Sequence, residues 1–403
     1  MGHNNIFSQL ELMQARLKSI PDGWSFNYVG KAFAIRNNLR KPISEEERAK
    51  NPGCYPYYGP TKIQGYIGSY EQDGCFALIG EDGDHFLKYN EQSMTQLVDG
   101  KCTINNHAHI IEGTKTATRE WFYYYFMHRD IFSFLSRQGA GRYKLNKASL
   151  EKIPVLIPPV IEQNKIFQIL STWDQAISTT EQLLANSQQQ KKALMQQLLT
   201  GKKRLLDKNG VRFSGAWKKF KFGSLFSERV EIGRDDLPLL SITADDGVVY
   251  QEDTGRKNTS NEDKSKYRRI CVNDIGYNTM RMWQGRSSLS NREGIVSPAY
   301  TIVTPNSKIE PLFAAYLFKF PELVHVFYRH SQGLVSDTWN LKFSHFKKIS
   351  WIIPIVEEQQ KIASVLTAAD QEIAILQRKL DYLKQEKKAL MQQLLTGKRR
   401  VKI

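Results

Sequence analysis

Several things are scarce in this chain, and each scarcity excludes something. Its 403 residues hold four cysteines (Cys54, Cys75, Cys102, Cys271), widely spaced and with no CxxC pair. That argues against a disulfide framework or a cysteine zinc site and fits a reducing cytoplasm. No apolar run approaches about 18 residues, and the first residues lack a basic-then-apolar pattern, so neither a membrane span nor export is expected. Catalytic motifs are lacking too. There is no GxxxxGK[ST] run, no GxGxxG loop, no HExxH, and no Asn/Asp-Pro-Pro-Tyr/Phe, since Pro158-Pro159 is followed by Val160. His107 and His109 alternate on one face of an expected strand but have no third metal ligand nearby, so satisfied strand histidines or a DNA contact are the preferred readings. Glu81-Asp82-Gly83-Asp84 reads as a turn and Glu45-Glu46-Glu47 as a solvated helix start rather than a nuclease centre. Acids are in deficit: 41 against 57 Lys and Arg give a net charge of +16, which points to a polyanionic partner, nucleic acid first.

What the chain does have is itself, twice. The run Lys-Lys-Ala-Leu-Met-Gln-Gln-Leu-Leu-Thr-Gly-Lys at 191–202 returns unchanged at 387–398, 196 residues on. The same offset carries Ile153 to Ile349, Pro158 to Pro354, Glu162-Gln163 to Glu358-Gln359, Lys165-Ile166 to Lys361-Ile362 and Asp174-Gln175 to Asp370-Gln371. Two domains follow, each large enough to bury its own core. Trp24 and Gly30 share their spacing with Trp217 and Gly223, and Gln138…Asn146 is echoed by Gln332…Asn340. Between these marks the copies diverge, as expected if the frame is architecture and the interior is specificity. The expected division is an N-terminal helical segment at 1–20, a first globular domain at 21–152, a helical spacer at 153–205, a second domain at 212–348 and a second spacer at 349–403. Ile6, Phe7, Leu10, Leu12, Met13 and Leu17 give the first segment an amphipathic pattern that fits packing either beside the second long helix or on its own domain.

The spacers carry the firmest structural expectation. Ile362, Leu366, Ala369, Ile373, Leu376, Leu380, Leu383, Lys387, Leu390 and Leu394 repeat with 4-3 spacing. Their counterparts are Ile166, Leu170, Trp173, Ile177, Thr180, Leu184, Ser187, Lys191, Leu194 and Leu198. This is a coiled-coil seam, more polar at the centre of the first copy. Pro159 and Pro354 precede the helices, Glu162 and Glu357-Glu358 suit the positive first turn, and Gly201 and Gly397 suit a left-handed end followed by basic residues. About 40 residues make a rod of roughly 60 Å, while the linker from Gly201 to Val211 reaches at most about 35 Å. The expected arrangement is therefore an antiparallel pair with a globular domain at each end and an approximate two-fold axis. The fold class is α+β.

Charge concentrates in the second domain. Between Arg256 and Arg292 there are nine Lys or Arg (256, 257, 264, 266, 268, 269, 281, 286, 292) against three acids, interleaved with Tyr267, Tyr277 and Trp283. Such a mixture suits a surface that grips phosphates and reads base edges, and an ordinary solvated face remains the alternative. The candidate DNA contacts are Lys62, Gln64, Tyr66, Arg142 and Lys144 in the first domain, and Lys266, Arg268, Arg269, Arg281, Trp283 and Arg286 in the second.

These residues together resemble a known family. Pro158…Glu162-Gln163…Lys165-Ile166…Asp174, the matching Pro354…Glu358-Gln359…Lys361-Ile362…Asp370 and the two Leu-Leu-Thr-Gly ends are similar to the specificity subunit of type I restriction–modification systems, over essentially the whole chain. The runs Pro56–Tyr66 with Asn105–His109, and Met280–Gly285 with Gly294–Tyr300, resemble variants of that family's target recognition domains. The resemblance implies a non-catalytic chain in which each domain reads one half of a split, asymmetric site in double-stranded DNA while the helices set the gap. It further implies two modification (methyltransferase) subunits docked along the helices, with restriction-translocation subunits joining them and no membrane involved. S-adenosylmethionine, ATP and Mg²⁺ would belong to those partners, leaving this chain without a cofactor. A structural coiled-coil adaptor is disfavoured by the basic, aromatic interior, and a nuclease or methyltransferase acting alone by the lacking motifs.

Overall fold

The computed structural model describes residues 20–138, 142–243, 247–255, 262–334 and 338–402. The expected N-terminal helix, together with Gly139, Arg256 and Lys257, lies outside the described residues apart from position 20. The chain divides into two units, one running to Thr180 and resuming at Lys379, the other spanning Glu181–Arg378.

The first unit is framed by a ribbon of its outermost strands. Ser25–Tyr28 pairs antiparallel with Pro154–Ile157, Ser25 opposite Ile157, and all four residues of the second strand are buried. Inside the frame is a six-stranded sheet in the order Ala34–Ile35, Ala108–Glu112, Gln72–Gly80, Thr95–Ile104, Pro52–Tyr58 and Ile63–Ile67. Its pairings are antiparallel except that between Pro52–Tyr58 and Thr95–Ile104, which is parallel. The helix Arg119–Met127 buries Trp121, Phe122, Tyr124, Tyr125 and Phe126. Ile166 and Leu170 of the first long helix, and Met391 and Leu394 of the second, close the same core.

The second unit repeats the frame around a different interior. Lys218–Lys221 pairs antiparallel with Ser350–Ile353, Lys218 opposite Ile353. Within it lie a four-stranded antiparallel sheet (Phe226–Glu228, Tyr300–Pro305, Ile275–Asn278, Ser287–Leu289) and two ribbons, Leu240–Ile242 with Val248–Tyr250 and Arg268–Ile270 with Gly294–Val296. The core is dominated by phenylalanine, with Phe222, Phe313, Phe318, Phe320, Phe327 and Phe346 fully buried. Leu198 and Leu199 from the first long helix, and Ile362, Ala363 and Leu366 from the second, complete it. The frame thus tolerates two sheet topologies, as the divergent interiors suggested.

Both long helices have 39 residues, Val160–Leu198 and Val356–Leu394. The spacers expected at 153–205 and 349–403 therefore open not as helix but as the closing strand of each globular part, because Pro154–Ile157 and Ser350–Ile353 are apolar runs that pair at once with the opening strand. Within each unit the seam positions are covered. Ile166, Leu170, Leu184, Leu198, Ile362, Leu366, Leu380 and Leu394 are buried, while Trp173, Ile177, Leu194, Ile373, Leu376, Leu383 and Leu390 are half-buried. Gly201 and Gly397 end the helices at φ of +71° and +70°, a backbone state that costs glycine nothing. Gly30 and Gly223 answer a different need: a Cβ there would lie 2.8 Å from Glu151 Cβ and 3.1 Å from Lys347 Cβ, respectively.

Candidate nucleic-acid interface

In the first unit the candidate residues sit on a hairpin at the edge of the six-stranded sheet. Lys62 is an exposed residue of the turn, where Gly59 N donates to its carbonyl at 2.9 Å. Gln64 and Tyr66 lie on the edge strand Ile63–Ile67, and Tyr66 is 56% exposed. Arg142 and Lys144 belong to a second hairpin, Ser136–Gln138 with Arg142–Lys144. The turn 81–84 links the two. Asp82 pairs with Lys144 through the backbone and with exposed His107 at 3.0 Å. His107 N then donates to Asn105 Oδ1 at 2.8 Å, and Asn105 Nδ2 to Gln64 Oε1 at 3.0 Å.

Not every candidate is equally available. Arg142 is exposed, whereas Lys144 is held 3.1 Å from Glu81, which Arg40 also grips. Burial works to raise the Glu81 carboxyl, yet hydrogen bonds from Arg40 and Lys144 keep it below its ordinary value. The two histidines do not share a strand, contrary to expectation. His107 lies in the turn preceding the strand, while His109 is buried, bonded to Asn37 Nδ2 at 2.8 Å and to Leu145 O at 2.7 Å. Burial lowers the His109 pKa, so it is a neutral internal strut. Among the described residues no three His, Cys, Asp or Glu side chains are placed to hold a metal. The acid clusters behave as read: Glu45-Glu46-Glu47 opens the short helix Glu45–Lys50 under a Ser44 capping box.

In the second unit, Arg281, Trp283 and Arg286 come together in the turn joining Ile275–Asn278 to Ser287–Leu289. Arg281 and Arg286 are exposed, and Trp283 Nε1 donates to Met280 O at 3.0 Å. The Trp283 ring meets Trp339 at 5.2 Å, Trp339 meets Tyr328 at 4.9 Å, and Tyr328 stacks on His325 at 5.9 Å. Sequence reasoning passed over Tyr328 and Trp339, although Trp339 adjoins the repeated Asn340. Lys266 is exposed in the segment before Arg268–Ile270. Arg268 and Arg269 are otherwise employed: Arg268 pairs with Glu228 at 2.8 Å, and Arg269 bridges Glu231 at 2.9 Å and Glu293 at 2.5 Å. They are weaker candidates for phosphate than their charge alone indicated.

The repeated motif residues have their own work, and in each unit it is the same. In the first unit Glu162, fully buried, accepts from Arg400 Nε at 2.7 Å and Nη2 at 2.8 Å, and from Trp24 Nε1 at 3.0 Å. In the second, Glu358 accepts from Arg204 Nε at 2.6 Å and Nη2 at 2.7 Å, while Trp217 Nε1 is shielded and unpaired. These glutamates lie in the first turn of each long helix, as expected, and are in addition the acceptors of a bidentate clamp on the arginine that follows the other long helix. Gln163 accepts from Thr118 N at 2.8 Å and Gln359 from Glu310 N at 2.8 Å, so each fixes the start of a domain helix. Asp174 takes Lys387 and the Tyr124 hydroxyl at 2.6 Å, and Asp370 takes Lys191 and the Tyr316 hydroxyl at 2.7 Å. Burial, and then the carboxylate, push both phenols well above their ordinary pKa. The polar seam positions are thereby accounted for. Lys191 and Lys387 are register pins, Ser187 bonds Glu372 at 3.3 Å, and buried Thr180 bonds back to Ala176 O at 2.8 Å.

Comparisons with known proteins agree with this arrangement of two framed domains. A family model described as "Type I restriction modification DNA specificity domain" matches residues 21–187 and 247–385. A putative type I restriction enzyme specificity subunit from Haemophilus influenzae is 39% identical over 136 residues, 34% of either chain, so that match spans about a third of the relative's length. The putative MjaX specificity subunit of Methanocaldococcus jannaschii is 25% identical over 308 residues, covering 69% of this chain and 67% of the relative. The MjaVIII specificity subunit of the same organism is 23% identical over 415 residues, covering 95% and 94%. The crystal structure of a type I restriction-modification S subunit from M. genitalium superposes with a TM-score of 0.62 at 13% identity, over 94% of this chain and 96% of that one, and so shares the fold. The chain belongs to the type I restriction–modification specificity family and carries its DNA specificity domain twice.

Proposed function

We propose that this chain is the non-catalytic specificity subunit of a type I restriction–modification complex, each globular domain reading one half of a split, asymmetric site in double-stranded DNA. The observation that carries the reading is that one frame, clamped by the same Glu–Arg and Asp–Lys pairs, holds two unlike β-interiors. A shared mount with exchangeable contents suits a protein that must address two different sequences. Lys62, Gln64, Tyr66 and Arg142 would contact one half-site, and Arg281, Trp283 and Arg286, with Lys266 on phosphate, the other. The long helices would set the gap and dock two modification subunits, to which restriction-translocation subunits join in the cytoplasm. S-adenosylmethionine, ATP and Mg²⁺ would be bound by those partners. No helix among the described residues is long and apolar enough to cross a membrane.

The test is an exchange of residues 217–340 for the equivalent domain of a relative, read by methylome sequencing of a strain carrying the whole system. One half of the methylated motif should change and the other stay. A change in both halves, or in neither, refutes the modular reading.

A further inference from the structure

We infer that buried Asn105 holds the oxygen of the Gln64 side-chain amide inward, so that the first domain presents a hydrogen-bond donor to the base edge at that point. The inference rests on the reading above that this hairpin faces DNA.

The constraint runs outward from the backbone. The His107 N–H can only donate, and it donates to Asn105 Oδ1 at 2.8 Å. Asn105 is 4% exposed, so its amide orientation is set internally, and its Nδ2 must then face Gln64. An amino group needs an oxygen, and Gln64 Oε1 accepts at 3.0 Å. Gln64 is therefore left with Nε2, which donates to no group among the described residues, on an exposed side chain. A second constraint fixes the plane of the amide, so that the only alternative is the half-turn that exchanges its oxygen and nitrogen. A Cβ on Gly59 would lie 2.4 Å from Gln64 Cδ and 2.6 Å from Nε2, so the amide lies flat on that glycine. Gly59 is itself tied down, its carbonyl accepting from Gln96 Nε2 at 2.9 Å and its N–H donating to Lys62 O at 2.9 Å. A glutamine free to turn pairs with adenine through both of its amide atoms. One whose oxygen is held inward favours guanine or thymine, whose major-groove edges offer acceptors only; adenine keeps its N7 acceptor but sets its N6 amino group against the amide's own, and cytosine offers only an amino group. Asn105 is thus a positioning residue and Gln64 the reader.

The experiment selects binding sites from a random double-stranded oligonucleotide pool with the assembled complex of this chain and its modification subunits. Gln64→Ala is expected to relax one position of the first domain's half-site by about tenfold, and the wild type should prefer guanine or thymine there. Asn105→Asp keeps the acceptor for His107 N but can no longer donate, so Gln64 must turn its amino group inward. The preference at that same position should move to adenine or cytosine, with the second half-site unchanged as the internal control for folding. Asn105→Ala, which adds no charge, should broaden that position. If Gln64→Ala relaxes no position, the hairpin does not read bases and the underlying function reading fails for this face. If Gln64→Ala relaxes a position that is adenine or cytosine in the wild type, or if both Asn105 variants keep the wild-type base there, the positioning inference alone is overturned.

Discussion

Residue by residue, what separates the strong candidates from the weak is the company each side chain keeps, and that company comes from distant parts of the chain. The exposure of Gln64, Tyr66, Arg281 and Arg286 was legible because glycine-bearing turns and hairpins expose what they carry. The ion pairs of Arg268 and Arg269 were not legible, because their carboxylates, Glu228, Glu231 and Glu293, arrive from other parts of the chain, so a local charge count could not see them. His85 escaped notice altogether. It is 8% exposed beside Gly80, its Nε2 has no partner, and burial lowers its pKa from 6.5 to about 4. Between those two values the unfolded chain binds a proton that the native state refuses. Its contribution to stability is therefore full above about pH 6.5 and is lost as pH falls towards 4, by up to about 3 kcal/mol. His109, lowered in the same direction, adds to the loss. Thermal melts of the wild type and His85→Leu at pH 7.5 and pH 4.5 check this: the variant should lose distinctly less between the two. Equal losses would show that His85 protonation is not felt by the fold.

At the scale of elements, the 4-3 spacing of the long helices was readable because a seam must present an apolar residue every three or four positions. The full or partial burial of the proposed seam positions follows from it. What spacing could not reveal is the reason for the repeated polar residues, since their partners lie on the other helix or in the domain. The Tyr124–Asp174 and Tyr316–Asp370 pairs were further hidden because their separations differ by four residues. In the second unit, the clamp of Arg204 on Glu358 makes the sharpest test. Glu358 is 1% exposed at its side chain, so Arg204→Ala strands a buried carboxylate and should destabilise that unit by about 3–5 kcal/mol. Adding Glu358→Gln removes the stranded charge, so the double variant should recover part of the loss rather than deepen it. Calorimetric melts of the four members of this cycle give the coupling. Strict additivity would mean that the pair contributes nothing as a pair.

For the whole molecule, the sequence repeat announced two domains and a common frame but not the sheets inside, because strand order depends on long-range pairings that leave no local period. Each long helix gives its first part to one unit and its last part to the other, dividing after Thr180 in one helix and after Arg378 in the other. The ion pairs that pin register lie wholly inside the units: Lys387 with Asp174 and Arg400 with Glu162 in one, Lys191 with Asp370 and Arg204 with Glu358 in the other. Lengthening both helices at these division points therefore leaves every pin and both interiors intact, whereas an insertion in one helix alone would set pin against pin. Four helix-forming residues after Thr180 and four after Arg378 add about 6 Å to each helix, comparable to one or two base pairs of duplex. If the helices set the gap, the methylated motif of the doubly lengthened chain should keep the bases of both halves and gain about that many unspecified base pairs between them. Each added base pair also rotates the second half-site about the duplex, so longer insertions should lose activity rather than extend the gap further. The single-helix insertion is the matched control, expected to melt lower. A doubly lengthened chain that methylates the original motif at full activity would show that the spacing is set elsewhere.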